Sequence, residues 1–113
     1  MLALPASGRA ETAVAELTVR AGEAHEVYYY APDVIEVRPG LVRVTFVNEG
    51  MRGHTFNLKQ KDEWRDLYNF PLVQAGETNV FEFELTAPGA YVFFCSLYKH
   101  VDHGQTGFLV VKA

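Results

Sequence analysis

The stretch VFEFEL, residues 80–85, does most to limit how this chain can fold. Successive side chains of an extended strand point to opposite faces. Phe81, Phe83 and Leu85 therefore share one face, and Val80, Glu82 and Glu84 share the other. LVRVTFVN, residues 41–48, repeats the device, with Val42, Val44 and Phe46 opposed to Arg43 and Thr45. A one-sided apolar strand needs a second layer to cover it. Tyr91 to Cys95 and Phe108 to Val111 are apolar on both faces, which predicts central strands. VAELTVR, residues 14–20, reads as an edge strand. His25 to Tyr30 and Val34 to Val37 read as a further extended region, broken at Ala31-Pro32-Asp33. The Tyr28-Tyr29-Tyr30 run within it reads as core and sheet surface. Arg38-Pro39-Gly40 and Ala87-Pro88-Gly89 are turns, because proline fixes φ and glycine accepts positive φ. The expectation is an all-β chain, a Greek-key β-sandwich. KQKDEWRDLYNFP, residues 59–71, is the exception. There Asp62 predicts the cap of a short helix with Trp64, Leu67 and Tyr68 on its inner face, ended by Pro71; a loop cover is the alternative.

A chain of 113 residues, 49% of them hydrophobic, has enough material for one buried core. Residues 1–12 read as a flexible N-terminal arm and residues 13–113 as a single domain. The formal charge of −4 argues against a nucleic-acid partner, which asks for a basic stripe. No window reaches the length of a transmembrane helix. A lone cysteine excludes an internal disulfide, so it is a small core residue, a reactive thiol or a metal ligand.

That cysteine, Cys95, ends an apolar strand in YVFFCSLYKHVDHGQTGFLVV, residues 91–111. His100, His103 and Gln105 follow, and Gly107 opens the last strand. Thiolate and imidazole are soft donors that suit copper, and two His with one Cys and a weak axial group make a blue electron-transfer site. The second equatorial imidazole must come from elsewhere. His54, just past the strongest early strand, is a better candidate than His25, which reads as structural or exposed.

Four segments in order carry a resemblance to a known family: VIEVRPGLVRVTFVNEG, GHTFNL, AGETNVFEFELTAPGAYVFFC and HVDHGQTGFLVV. Together they make the chain similar to the cupredoxins, in particular the plastocyanin- and sulfocyanin-like group. The resemblance implies one copper per chain, held by His54, Cys95, His100 and Gln105, with the Gly53 carbonyl as a further axial group. Thr55, after His54, reads either as a residue whose N–H reaches the cysteine sulfur or as a plain strand residue. The resemblance also implies an electron carrier rather than an enzyme, outside the cytoplasm. The carrier would be a monomer that meets redox partner proteins through an apolar patch around His100, Leu97 and Val101.

Two departures stand out. Tyr98-Lys99 replaces the Pro-Gly common before the loop histidine, and glutamine replaces the commoner axial methionine. His103, eight residues after Cys95, brings a weaker resemblance to nitrosocyanin and to binuclear copper sites. Those sites ask for His or Cys where Tyr98 and Lys99 stand. An open, non-blue site with His103 as ligand, working as an enzyme or small-molecule binder, is the alternative. Copper storage or delivery is another, and a sandwich that has lost its metal is a fourth.

Overall fold

A computed structural model describes residues 15–113; the arm expected over residues 1–12 lies outside the described residues. Among the described residues, nine strands form two sheets. The first has the order β2-β1-β4-β7, from β1 (Ala15–Ala24), β2 (Val27–Ala31), β4 (Gly40–Asn48) and β7 (Thr78–Leu85). The second has the order β3-β9-β8-β5-β6, from β3 (Val34–Val37), β5 (Asn57–Gln60), β6 (Asp66–Asn69), β8 (Gly89–Phe94) and β9 (Thr106–Val111). β1 runs parallel to β4 and β3 parallel to β9, while the other pairs are antiparallel. The all-β sandwich is as expected.

The alternating stretches behave as their period demands. Val42, Val44 and Phe46 on β4 and Phe81, Phe83 and Leu85 on β7 are all buried. They register directly, Val42 against Phe83 and Val44 against Phe81. β8 lies between β9 and β5, so the strand ending at Cys95 is central. Aromatic rings fill the space between sheets. Phe56 stacks on Phe93 at 5.2 Å and meets Phe46 edge-on at 5.9 Å between centroids. Each such ring contributes about 1.5–3 kcal/mol through burial.

Two expectations need correction. β1 is interior, flanked by β2 and β4, and not an edge strand. Its modest hydrophobicity reflects one solvated face, on which Glu16, Thr18 and Arg20 are exposed. The segment 59–71 is neither a helix nor a plain loop cover. Its second half is β6, which pairs with β5 through Leu58 and Tyr68. Tyr68 and Phe70, two residues apart, pack inward, and Phe70 stacks on Phe81 at 4.6 Å. This period of two defeats the helical one, leaving Trp64 84% and Leu67 46% exposed. Asp62 takes a left-handed φ of 70° in the turn instead of capping a helix.

Candidate metal centre

At one end of the sandwich the apolar core gives way to buried polar groups: Asn48, His54, Thr55, His100 and Gln105. Asn48 ends β4, and the others lie on short connections. His54 bridges Val73 through two backbone hydrogen bonds, 3.0 Å to the Val73 carbonyl and 2.9 Å back from its N–H. Gly53 permits this approach, since a Cβ there would lie 2.9 Å from Leu72 Cδ1. The Asn48 amide fixes the loop before it, donating to the Arg52 carbonyl at 2.8 Å and the Val73 carbonyl at 2.9 Å, and accepting the Gly50 N–H at 2.9 Å.

Cys95 follows β8, and Gln105 immediately precedes β9. The Cys95 N–H donates to the Gln105 carbonyl at 3.3 Å. Between them the chain makes one tight 3-10 turn, Val101–His103, and the Gln105 N–H closes back on the His100 carbonyl at 3.0 Å. Lys99 and Gly104 adopt left-handed φ values of 65° and 106°. Lys99 thus stands, at some steric cost, in the conformation for which a glycine is suited. Gly107 lets β9 pass the core, because a Cβ there would collide with the Phe93 ring and lie 2.7 Å from the Asp33 carbonyl oxygen.

Four side-chain donors converge. Candidate ligand atoms of His54, Cys95 and His100 lie within 4.8 Å of one another. Cys95 Sγ is 3.3 Å from His100 Nδ1. Gln105 Oε1 is 3.2 Å from His100 Nδ1 and 2.8 Å from His54 Nδ1. The Gln105 amide cannot turn freely, because its Nε2 donates to the Tyr29 carbonyl at 2.9 Å and so keeps Oε1 on the cluster. The expected contact of Thr55 is present: its N–H points at Cys95 Sγ at 3.4 Å, and its hydroxyl lies at 3.6 Å.

Electrostatics follow from this packing. Burial pushes the Cys95 thiol up, but hydrogen bonds from His54 and from the Leu97 and Thr55 N–H groups bring it below an ordinary thiol. Burial pulls His54 down, and its hydrogen bonds with Cys95, Glu23 and Gln105 outweigh it, leaving the imidazole raised. His100 is lowered, chiefly by burial. A neutral imidazole that donates from Nε2 offers only a lone pair at Nδ1. In that neutral form His54 donates to the Glu23 carboxylate 2.7 Å from Nε2, and its Nδ1 lone pair then faces the Gln105 oxygen, itself an acceptor. Electron-pair donors this close repel unless a proton or a metal cation lies among them. The donor set therefore fits a soft cation, and thiolate with imidazole suits copper.

The remaining sequence candidates lie apart. His103 is exposed and stacks on the Tyr28 ring at 5.4 Å, while Tyr28 meets His100 edge-on at 4.4 Å. His25 is exposed in the turn between β1 and β2. Glu23 was not foreseen, although a signal exists. Val19, Ala21 and Glu23 are in phase along β1, and the first two are fully buried, so a carboxylate stands where the pattern points inward.

A family model described as a cupredoxin-like domain matches residues 1–111, and the chain belongs to that family. Among solved structures, auracyanin from the photosynthetic bacterium Roseiflexus castenholzii is similar at 19% identity, over 87% of this chain and 97% of that one, with a TM-score of 0.74. Auracyanin A, a "blue" copper protein from Chloroflexus aurantiacus, is similar at 20% identity, over 87% and 100%, with a TM-score of 0.71. Copper nitrite reductase from Nitrosomonas europaea is similar at 18% identity over 88% of this chain but 41% of that one, with a TM-score of 0.72. At these identities the likeness is one of fold. No curated protein matches the chain. Among the described residues, no helix is long and apolar enough to cross a membrane.

Proposed function

We propose that this protein is a mononuclear blue copper electron carrier, with His54, Cys95 and His100 as the strong ligands and Gln105 on the axial side. The observation that carries the reading is the convergence of one thiol and two imidazoles, all buried, at the end of a sandwich. Bound there, copper would supply one-electron chemistry between Cu(I) and Cu(II). The protein's own part is rigidity. Hydrogen bonds from Thr55 hold the sulfur, Tyr29 holds the Gln105 amide, and the Val73 bridge holds His54. A site that keeps one shape in both oxidation states exchanges electrons without large rearrangement. The Gln105 oxygen is a harder donor than a thioether, so it favours Cu(II) and gives a lower potential than methionine would.

His100 is the least buried of the four, at 8% exposure, and serves as the electron's exit. Tyr98 and Val101 are exposed around it and Leu97 is half-buried. A redox partner docks on this patch through a small, transient interface. The domain spans residues 13–113, works as a monomer outside the cytoplasm and holds one copper. An open site using His103 is disfavoured by Tyr28, whose ring packs against both His100 and His103.

Visible absorption and EPR during Cu(II) titration test the reading, on the wild type, His100→Ala and His103→Ala. An intense thiolate charge-transfer band, lost with His100→Ala and kept with His103→Ala, is the expected result. A weakly coloured protein, or dependence on His103 alone, overturns it.

A further inference from the structure

Glu23 is an acidic side chain folded into the protein. It is the penultimate residue of β1, paired with Tyr28 of β2, and its side chain is only 11% exposed. One oxygen, Oε2, lies 2.7 Å from His54 Nε2. The other, Oε1, accepts the Met51 N–H. The loop leaves room for it at Gly50, where a Cβ would lie 2.6 Å from both carboxylate oxygens. A backbone donor and a missing side chain thus form a cradle around one carboxylate. Its remaining contact is the far nitrogen of a buried histidine that faces Cys95, His100 and Gln105.

We propose that Glu23 is a positioning residue that locks His54 in the Nε2–H form, aims Nδ1 at the metal and biases the centre toward the oxidised ion. The inference rests on the copper reading above. Three effects follow from the geometry. The Nε2 proton is held by the carboxylate, so the Nδ1 lone pair is the one left for a metal. The hydrogen bond fixes the ring about its Cβ–Cγ bond, because Nε2 is anchored to β1 while the backbone is anchored to Val73. A carboxylate on the outer nitrogen makes the imidazole a stronger donor, and such partners commonly govern metal affinity by roughly 10–100-fold. The extra negative charge is felt more by the doubly charged ion than by the singly charged one. Glu49 provides an internal comparison. It also sits near this loop, but it is exposed and bonds Arg20 and Tyr29 instead of a histidine.

The test compares wild type, Glu23→Gln, Glu23→Ala and Glu49→Gln. Spectroelectrochemistry of the copper-loaded proteins gives the potential, and competition titration gives Cu(II) affinity. NMR of the Zn(II)-loaded proteins, which needs no redox chemistry, reads the His54 tautomer and the exchange of its Nε2 proton. Glu23→Gln loses the charge and keeps one oxygen acceptor for the two N–H groups of His54 and Met51. We expect its preference for Cu(II) over Cu(I) to fall about tenfold, a rise of about 59 mV, with the Nε2–H tautomer retained. Glu23→Ala should lose roughly 10–100-fold in Cu(II) affinity and expose the Nε2 proton to fast exchange. Glu49→Gln should shift the potential far less. Equal shifts for Glu23→Gln and Glu49→Gln, or unchanged affinity and proton exchange in Glu23→Ala, overturn the proposal. If the wild type shows no thiolate band, the carrier reading fails, and the Zn(II) NMR result still decides whether Glu23 positions His54. Should both Glu23 variants fail to fold, a wild-type His54 found in the Nδ1–H form overturns the proposal, and a protected Nε2–H upholds it.

Discussion

In the five-stranded sheet, β8 runs into Cys95 and β9 begins at the residue after Gln105, so two of the four donors ride on adjacent, hydrogen-bonded strands. In the four-stranded sheet, β1 supplies the Glu23 carboxylate and β2 the Tyr29 carbonyl, and both grip donors from outside. His54 lies on the connection between β4 and β5, which links the sheets. One sheet thus presents the electron pairs and the other sets their aim. The geometry of the centre depends on how the sheets pack, and so on the aromatic core between them.

Four substitutions can break or sharpen that contrast. Cys95→Ser strikes the donor side and should abolish the thiolate charge-transfer band entirely; any surviving intense band in the visible spectrum would detach the colour from this residue. Phe56→Ala strikes the packing between the sheets. Phe56 is fully buried against Phe46, Phe81, Phe83 and Phe93, so denaturant unfolding of the metal-free protein should show a loss of about 3–5 kcal/mol. A smaller loss would mean that the sheets close over the gap. Asn48→Ala strips the Arg52 carbonyl of its donor in the loop that carries His54, leaves the Val73 carbonyl with the His54 N–H alone, and should cost about 1–3 kcal/mol in the same assay. Copper should also leave this variant faster, and an unchanged off-rate would separate the loop from the centre. Trp64→Ala, at an exposed position far from both roles, should stay within about 0.5 kcal/mol of wild type. A larger effect would reveal a packing role for the β5–β6 turn.

The side chains that converge could be read from the sequence, and so could the Thr55 contact; the other supports could not. Cys95, His100 and Gln105 lie within one short stretch flanked by strand patterns, and His54 follows the clearest alternating strand; chemistry and local period singled out the thiol and imidazoles, and the family resemblance added Gln105. Tyr29 acts through its backbone carbonyl, which no side-chain pattern announces. Glu23 could have been read from the phase of Val19 and Ala21, but its partner is 31 residues away and is set by sheet packing. The β6 segment misled because its charged residues and aromatics are spaced so that a helix and a strand both seem served. Pairing between Leu58 and Tyr68, a tertiary fact, decides between them.

The order of strands also governs how crowded molecules behave. Two outer strands of the second sheet, β3 and β6, are only 4 residues long and offer a neighbour little to template. The long outer strand is β7, with 8 residues. Its outward face carries Val80, Glu82 and Glu84; Glu82 is held by Arg43 at 2.6 Å, which leaves Glu84 to set like charge against a second copy meeting there. The alternation that buries Phe81 and Phe83 thereby gives this long outer strand a guard against runaway strand-to-strand assembly, one that salt would weaken.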